Sequence, residues 1–128
     1  MMTMKMQQTK LKKKVMLWSA IPCTGGCPFV SVNIHKGKAT EEKIANHWKL
    51  FRKLWNVFMK ISDQVILQGG LVAVEWPNKC RYWHERAVRN YVARHGLHTA
   101  HVHACEYGMT AISDPTKYLH KIWHVKTN

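Results

Sequence analysis

Short apolar runs separated by polar segments predict a series of β-strands. Residues 15–21 and 71–76 have the length and apolarity of buried strands, and a proline follows each of them directly. Residues 98–105 instead alternate between small apolar side chains and polar ones, which is typical of a strand with two unlike faces. We expect a last strand within residues 118–126.

The segment between the first two strands has the period of an amphipathic helix. Its apolar residues recur at steps of four and three, as Ile44, Trp48, Phe51, Trp55 and Phe58. This spacing predicts a helix over residues 40–67, which the following glycine pair ends. We interpret the aromatic stripe as core packing rather than as a platform for stacking bases. A second, shorter helix is expected over residues 85–95.

The order of these elements favours an α/β fold. Strands that alternate with helices are usually parallel neighbours in one sheet, with helices on both of its faces. We therefore predict a three-layer, mainly parallel α/β domain over residues 15–128, preceded by a basic, flexible tail at residues 1–14. A length of 128 residues and a hydrophobic fraction of 46% are those of one domain with its own core.

The charge of the chain predicts a polyanionic partner. The 20 lysines and arginines outnumber the 7 acidic residues, which gives a formal net charge of +13 and favours nucleic acid. Candidate contacts lie in the tail and on the second helix: Lys12, Lys13, Lys14, Arg86 and Arg89. The sequence has no run of about 18 apolar residues and no apolar leader, so we expect an intracellular protein with no membrane partner.

Cys23 is the strongest candidate for a catalytic residue. It follows the first strand, where open α/β sheets place their functional groups, and Glu75 ends the second strand. If the two strands are neighbours, a thiol and a carboxyl group meet at one edge of the sheet, as a nucleophile with an acid partner. We expect Thr24, Gly25 and Gly26 to supply backbone N–H groups close to a thiolate at Cys23. The other interpretation is a buried structural cysteine beside a tight turn.

Two further interpretations stay open at this point. Cysteine and histidine are ligand types that zinc uses, and they occur here as Cys23 with Cys27, Cys80 with His84, and His101, His103 and Cys105 on one strand face. These spacings match no zinc-finger pattern, so zinc is not the favoured cofactor and no residue is assigned as a metal ligand. The other possibility is a non-catalytic basic module, in which tryptophans and cations bind nucleic acid.

The residues around Cys23 resemble the Pro-Cys motif of cytosine-5 DNA methyltransferases. The matching stretch runs from Ser19 to Pro28, and Val74-Glu75-Trp76-Pro77 is similar to that family's glutamate motif. The resemblance implies that Cys23 attacks C6 of a cytosine ring in DNA while Glu75 holds and protonates N3. It implies S-adenosylmethionine as the methyl donor, and a substrate loop shaped by Pro22, Thr24, Gly25 and Gly26.

A closer resemblance is to methyltransferase-like segments of retrotransposon polyproteins and of uncharacterised proteins from algae and other protists. These segments share the order of four short motifs, which here are Pro22-Cys23-Thr24, Glu75-Trp76-Pro77 followed by Trp83, Cys105-Glu106-Tyr107-Gly108, and residues 121–128. The match covers most of residues 15–128.

The chain also departs from the methyltransferase pattern. Ahead of Cys23 we find no strand with the glycine-rich turn that binds S-adenosylmethionine in the family, and Trp76-Pro77 replaces the usual asparagine and valine after the glutamate. Histidines occupy the strand on which an arginine pair is expected. We therefore expect a partial, Rossmann-like methyltransferase fold without its N-terminal cofactor-binding half. Such a domain is inactive alone, belongs to a larger protein, or works with another chain that supplies the cofactor half.

Overall fold

The computed structural model describes residues 14–128. Its strands are β1 (Met16–Ser19), β2 (Leu71–Pro77), β3 (His98–His103), β4 (Thr110–Ala111), β5 (Asp114–Tyr118) and β6 (Ile122–Thr127). Its helices are α1 (Val30–Asn33), α2 (Lys38–Leu67) and α3 (Arg86–Arg94). Short 3-10 helices lie at Thr24–Gly26, Ile34–Lys36, Arg81–His84 and Ala104–Tyr107.

Four strands form one mixed sheet in the order β1-β2-β6-β3. β1 and β2 are parallel, with Ser19 in register with Val74. β6 lies between β2 and β3 and is antiparallel to both, so that Val125 pairs with Glu75 on one side and with Ala100 on the other. β4 and β5 form a separate two-stranded hairpin.

The helices α2 and α3 pack on one face of this sheet. β2 turns Val72, Val74 and Trp76 toward that face, and none of the three is more than 1% exposed. Val88 and Tyr91 of α3 belong to the same buried cluster. Because successive residues of a strand point to opposite faces, the residues between them in β2 are turned to the other side of the sheet.

Aromatic rings fill the space between α2 and the sheet. Trp55 is 1% exposed, and its ring centroid lies 5.6 Å from that of Trp76 and 5.4 Å from that of Tyr91. Phe51 stacks on Tyr82, with 3.8 Å between the ring centroids. Aromatic side chains bury the largest areas per residue, so this cluster dominates the core. The prediction that the aromatic stripe of α2 packs into the core is thereby confirmed.

The opposite face of the sheet is open. Within residues 14–128, no helix covers it, and the β1 side chains Met16 and Trp18 are 55% and 50% exposed there. Trp18 lines a shallow cavity of about 260 Å³ on this face, with side chains from β2, β3 and β6. We call this surface, which carries Trp18, Glu75, Trp123 and Val125, the open face.

The predicted fold class is wrong. The described domain has two layers rather than three, and only one of the three strand pairs in the main sheet is parallel. It is therefore not the mainly parallel sheet that the strand–helix alternation indicates, nor the Rossmann-like methyltransferase fold that the resemblance implies. The reason lies in the connection from β3 to β6. A parallel crossover is usually made by a helix, whereas this connection holds a 3-10 turn and the β4–β5 hairpin, and β6 runs back antiparallel to β3.

Most predicted elements are close to the observed ones. The helices predicted over residues 40–67 and 85–95 correspond to α2 and α3 within two residues at each end. The predicted third strand ends at His103, so Cys105 lies in a 3-10 helix and not on a strand face. Of the predicted tail, Lys12 and Lys13 lie outside the described residues. In the described part of the chain, no helix is both long and apolar enough to span a bilayer.

We expect Trp55→Ala to lower the free energy of unfolding by about 3–5 kcal/mol, because it removes a fully buried aromatic side chain and leaves a cavity. Urea denaturation followed by circular dichroism measures the change. Val57→Ala is the control on the same helix, at a position 49% exposed, and should change stability by less than about 0.5 kcal/mol. Equal losses in the two variants would contradict the packing described here.

Candidate functional site

Cys23 and Glu75 lie at the same edge of the sheet. β1 and β2 are parallel neighbours, so their carboxyl-terminal ends lie at the same edge, as the sequence predicts for adjacent strands. Ser19, the last residue of β1, is in register with the residue that directly precedes Glu75. Cys23 and Glu75 line one cavity of about 170 Å³, together with Lys121 and Trp123. We call this cavity the Cys23–Glu75 cleft.

A buried tryptophan fixes the chain between β1 and Cys23. Trp76 Nε1 donates a hydrogen bond of 2.7 Å to the carbonyl oxygen of Ile21, and the Trp76 side chain is 1% exposed. Trp76 directly follows Glu75, and Ile21 lies two residues before Cys23. This one bond therefore holds the thiol-bearing loop against the strand that carries the carboxyl group. Leaving a buried donor or acceptor unpaired is costly, which favours this single arrangement.

Glu75 lies on the open face and not in the core. The indole Nε1 of Trp18 donates a hydrogen bond of 2.8 Å to Glu75 Oε2. Because Trp18 is half exposed, the pair is accessible from solvent. Within residues 14–128, no hydrogen bond reaches Glu75 Oε1, so this oxygen is available to a ligand. Trp18 fixes one oxygen of the Glu75 carboxyl group, and the other oxygen can bind the polar edge of a nucleic-acid base.

The loop after Cys23 is held by close packing. In the 3-10 turn Thr24–Gly26, the Gly26 N–H donates to the Cys23 carbonyl oxygen at 2.9 Å. A Cβ atom at Gly26 would lie 2.9 Å from Cys80 Sγ and 3.0 Å from the Tyr82 ring, so only glycine fits there without a shift. The residues predicted to shape a substrate loop divide by burial: Gly25 and Gly26 are buried, and Pro22 and Thr24 are exposed.

Cys80 is a buried neighbour of the candidate thiol. It is 1% exposed, and this burial raises the pKa of its thiol to about 12, although the Tyr82 N–H lowers it in part. Cys23, Cys27 and Cys80 line a second cavity of about 480 Å³, and all four cysteines of the chain are free. At neutral pH Cys80 is therefore a protonated thiol, and Cys23 and Cys27 are the partly exposed thiols of this group.

Sequence reasoning missed three residues of the site, namely Trp18, Lys121 and Trp123. The Lys121 ammonium group lies 4.4 Å from the centroid of the Trp123 ring, and both residues line the Cys23–Glu75 cleft. The sequence contains a signal for Lys121 and Trp123, since Lys121, Trp123 and Val125 recur at steps of two, as on one strand face. This pattern does not predict that β6 lies beside β2, which is what brings the face to Glu75.

The basic residues predicted to bind nucleic acid do not gather at the cleft. Lys14 is exposed just before β1, at the end of that strand opposite to Cys23. Arg86 and Arg89 are exposed on α3, in the helical layer. Lys12 and Lys13 are outside the described residues. The cation that the described structure brings to the cleft is Lys121.

The residues weighed as metal ligands do not form a metal centre in the described part of the chain. Between residues 14 and 128, no group of three or more histidine, cysteine or acidic side chains is placed to hold an ion. His101 instead pairs across the strands with His124, with ring centroids 4.4 Å apart. Burial lowers the pKa of His124, and the neighbouring His101 and Lys126 lower it further.

Comparisons with known proteins return no relative of this chain. No protein family, no curated protein and no solved structure matches it. The interpretation of the cleft therefore depends on its own residues and their geometry.

We expect Cys80 to be the last of the four cysteines to react with iodoacetamide at about pH 8, because the thiolate is the reactive species and the Cys80 thiol is buried and stays protonated. Mass spectrometry of tryptic peptides over a time course measures the four rates. In guanidinium, where burial is lost, the rates should converge. Labelling of Cys80 as fast as Cys105 in the folded protein would refute its burial.

Trp76→Phe should speed alkylation of Cys23, because the Ile21 carbonyl loses its donor and the loop is released. The matched control is Trp55→Phe, since Trp55 is equally buried but its Nε1 has no hydrogen-bond partner within residues 14–128. We expect Trp76→Phe to be less stable than Trp55→Phe by about 1–3 kcal/mol in urea denaturation. If both variants alkylate Cys23 at the wild-type rate, the Trp76 bond does not position the loop.

Proposed function

We propose that this chain is a methyltransferase-like domain that binds a pyrimidine base of nucleic acid in the Cys23–Glu75 cleft and attacks the base with Cys23. One observation carries the proposal: a thiol and a carboxyl group share a cavity at the carboxyl ends of two parallel strands. The Pro-Cys and glutamate motifs that these residues resemble use the same pair of groups. DNA is the expected nucleic acid, as the resemblance implies.

The two groups suit addition to an electron-poor ring. The Cys23 thiolate forms a bond from Sγ to C6 of cytosine, and the C5–C6 π electrons shift toward C4 while N3 takes up an electron pair. Glu75, as a carboxylic acid, gives its proton to N3, which leaves C5 electron-rich. Reversal expels the thiolate and returns the proton to Glu75, so the step needs no oxidant or reductant.

The target base must leave its stack to reach the cleft. Enzymes that act on a ring atom of a base extrude the base or act on single strands, because the atom is inaccessible inside a duplex. The cleft opens beside Lys121 and Trp123, which supply a cation for a phosphate and an aromatic surface for a neighbouring base. These contacts support binding of an unpaired nucleotide at this edge of the sheet.

The methyl donor implied by the resemblance does not fit the described residues around Cys23. The Cys23–Glu75 cleft, at about 170 Å³, is smaller than the about 300 Å³ at which pockets for cofactor-sized ligands begin. The adjoining cavity of about 480 Å³ is lined by Lys79 and Lys121 and by no carboxylate, which disfavours a cationic sulfonium with ribose hydroxyls. We therefore assign no methyl-transfer step to these residues. Supply of the donor by another chain is part of the proposal.

A non-catalytic nucleic-acid-binding module is the second candidate. It is favoured by the net charge of +13 and by the contact of the exposed Lys121 with the partly exposed Trp123. In this case the two groups of the cleft bind a base without forming a covalent bond. The catalytic and the non-catalytic function differ in one measurable property, which is whether the protein adds to C6 of the bound base.

Exchange of the cytosine C5 hydrogen in heavy water tests the proposal without a methyl donor. After addition at C6, the electron-rich C5 takes up a deuteron from the solvent, then releases its original proton to the solvent, and elimination returns the thiolate. The wild-type protein should therefore erase the C5–H signal of a cytosine oligonucleotide in proton NMR. Cys23→Ser should abolish the exchange, because the nucleophile is lost. Glu75→Gln should slow it by about 10²–10⁴-fold, because N3 loses its proton donor.

The control variant is Cys105→Ser, which replaces a partly exposed cysteine outside the cleft and should exchange at the wild-type rate. Wild-type exchange by Cys23→Ser would contradict the role of the thiol. Nucleic-acid binding by the wild-type protein with no exchange would favour the non-catalytic module.

A further inference from the structure

We infer that the open face binds single-stranded nucleic acid by stacking unpaired bases on Trp18 and Trp123. The open face extends beyond the Cys23–Glu75 cleft, and this inference specifies single-stranded nucleic acid as the ligand of the domain. The inference rests on the proposed function only for the one base that is held at Cys23. The stacking itself depends on two tryptophans, one lysine and the architecture of the sheet.

Both tryptophans lie on the side of the sheet that α2 and α3 leave uncovered. Trp18 is 50% exposed on β1, and with Trp123 it lines a cavity of about 260 Å³. Trp123 and Val102 are partly exposed and Val125 is 9% exposed, and these side chains complete the apolar part of the cavity. Glu75 is its carboxyl group.

The two indoles lie on opposite sides of Glu75. Along β2, Trp18 is in register with Ala73 and Trp123 with Pro77, so Glu75 is midway between them. Trp18 and Trp123 are also separated across the sheet by β2, because β1 and β6 are its two neighbours. The rings therefore form a diagonal with a hydrogen-bonding group at its centre, and one base can stack at each end.

Charge complementarity identifies the occupant as a polyanion. The Lys121 ammonium group lies over the Trp123 ring at 4.4 Å, where it can pair with a phosphate of a strand whose base stacks on the ring. Glu75 is the one acidic residue in the four strands of the sheet, and Trp18 Nε1 already holds one of its oxygens. Nucleic acid is the polyanion that also carries flat aromatic groups.

A second copy of this chain is a poorer occupant of the open face. Each copy carries a net charge of +13, so pairing two such faces brings like charges together, including Lys121 of each copy. A duplex is also a poorer occupant, because its bases are stacked on one another and present no ring face to a side chain. Unpaired bases meet both requirements, since every base has a π-face and every nucleotide a phosphate.

The test is a titration with short oligocytidylates, as DNA and as RNA, at fixed salt, followed by quenching of tryptophan fluorescence and by anisotropy of a labelled strand. We expect Trp18→Ala and Trp123→Ala each to weaken binding by about 5-fold to 100-fold. Trp18→Phe should recover most of the loss, because phenylalanine keeps a stacking surface. A duplex of the same length should bind at least about 10-fold more weakly than the single strand at this salt.

Two control variants lie in the helical layer. Leu50→Ala removes an apolar side chain that is 47% exposed on α2, and Lys53→Ala removes an exposed cation of the same helix. Both should bind as the wild type does. Lys121→Ala, matched in residue type to Lys53→Ala, should weaken binding and reduce the slope of log affinity against log salt by about 1.

The outcomes separate this inference from the proposed function. Single-strand affinity unchanged in Trp18→Ala and Trp123→Ala would overturn stacking, even if cytosine C5 exchange occurs. Tryptophan-dependent binding without exchange would support stacking and remove the catalytic role of Cys23. A dimer in sedimentation that Trp18→Ala dissociates, with no effect of this variant on nucleic-acid binding, would assign the open face to a second copy and overturn the inference.

Discussion

The burial of Trp76 is the constraint on which both the core and the candidate site depend. Its ring packs in the aromatic cluster between α2 and the sheet, and its indole N–H donates to the carbonyl oxygen of Ile21. Ile21 supplies the partner that a buried indole N–H usually finds, and this bond requires the chain leaving β1 to pass beside Trp76. That path brings Cys23 to the end of β2, beside Glu75. The interactions that stabilise the fold therefore also position the proposed nucleophile.

The strand β2 serves the core and the binding surface with alternate residues. Val72, Val74 and Trp76 face the helices, while Glu75, between two of them, faces the open side. A strand can divide its residues in this way because its side chains alternate between faces. The division also explains why a polar, solvent-accessible carboxyl group can lie within one residue of the most buried part of the domain.

The sequence predicts the local elements and, on the condition that β1 and β2 are neighbours, the approach of Cys23 to Glu75, but it does not predict the topology. The stripe of α2 has a helical period, and the two apolar runs end where the thiol and carboxyl groups begin, so these features are local. The direction of β6 is not local, because it depends on a β4–β5 connection whose strands are mostly exposed and have no core-facing alternation. The sequence also predicts wrongly that Trp18 is buried. A continuous apolar run does not distinguish a strand that is covered on both faces from one that is covered on a single face.

The one-sided covering of the sheet has a consequence for how this domain can change over generations. Side chains on the helix-facing side form the aromatic core, whereas a half-exposed side chain on the uncovered side, such as Trp18, contributes less to the fold. Substitutions at positions such as Trp18 or Val102 can therefore alter what is recognised while the folded state keeps most of its stability. A surface of this kind can acquire new preferences one residue at a time, without compensating changes in the interior.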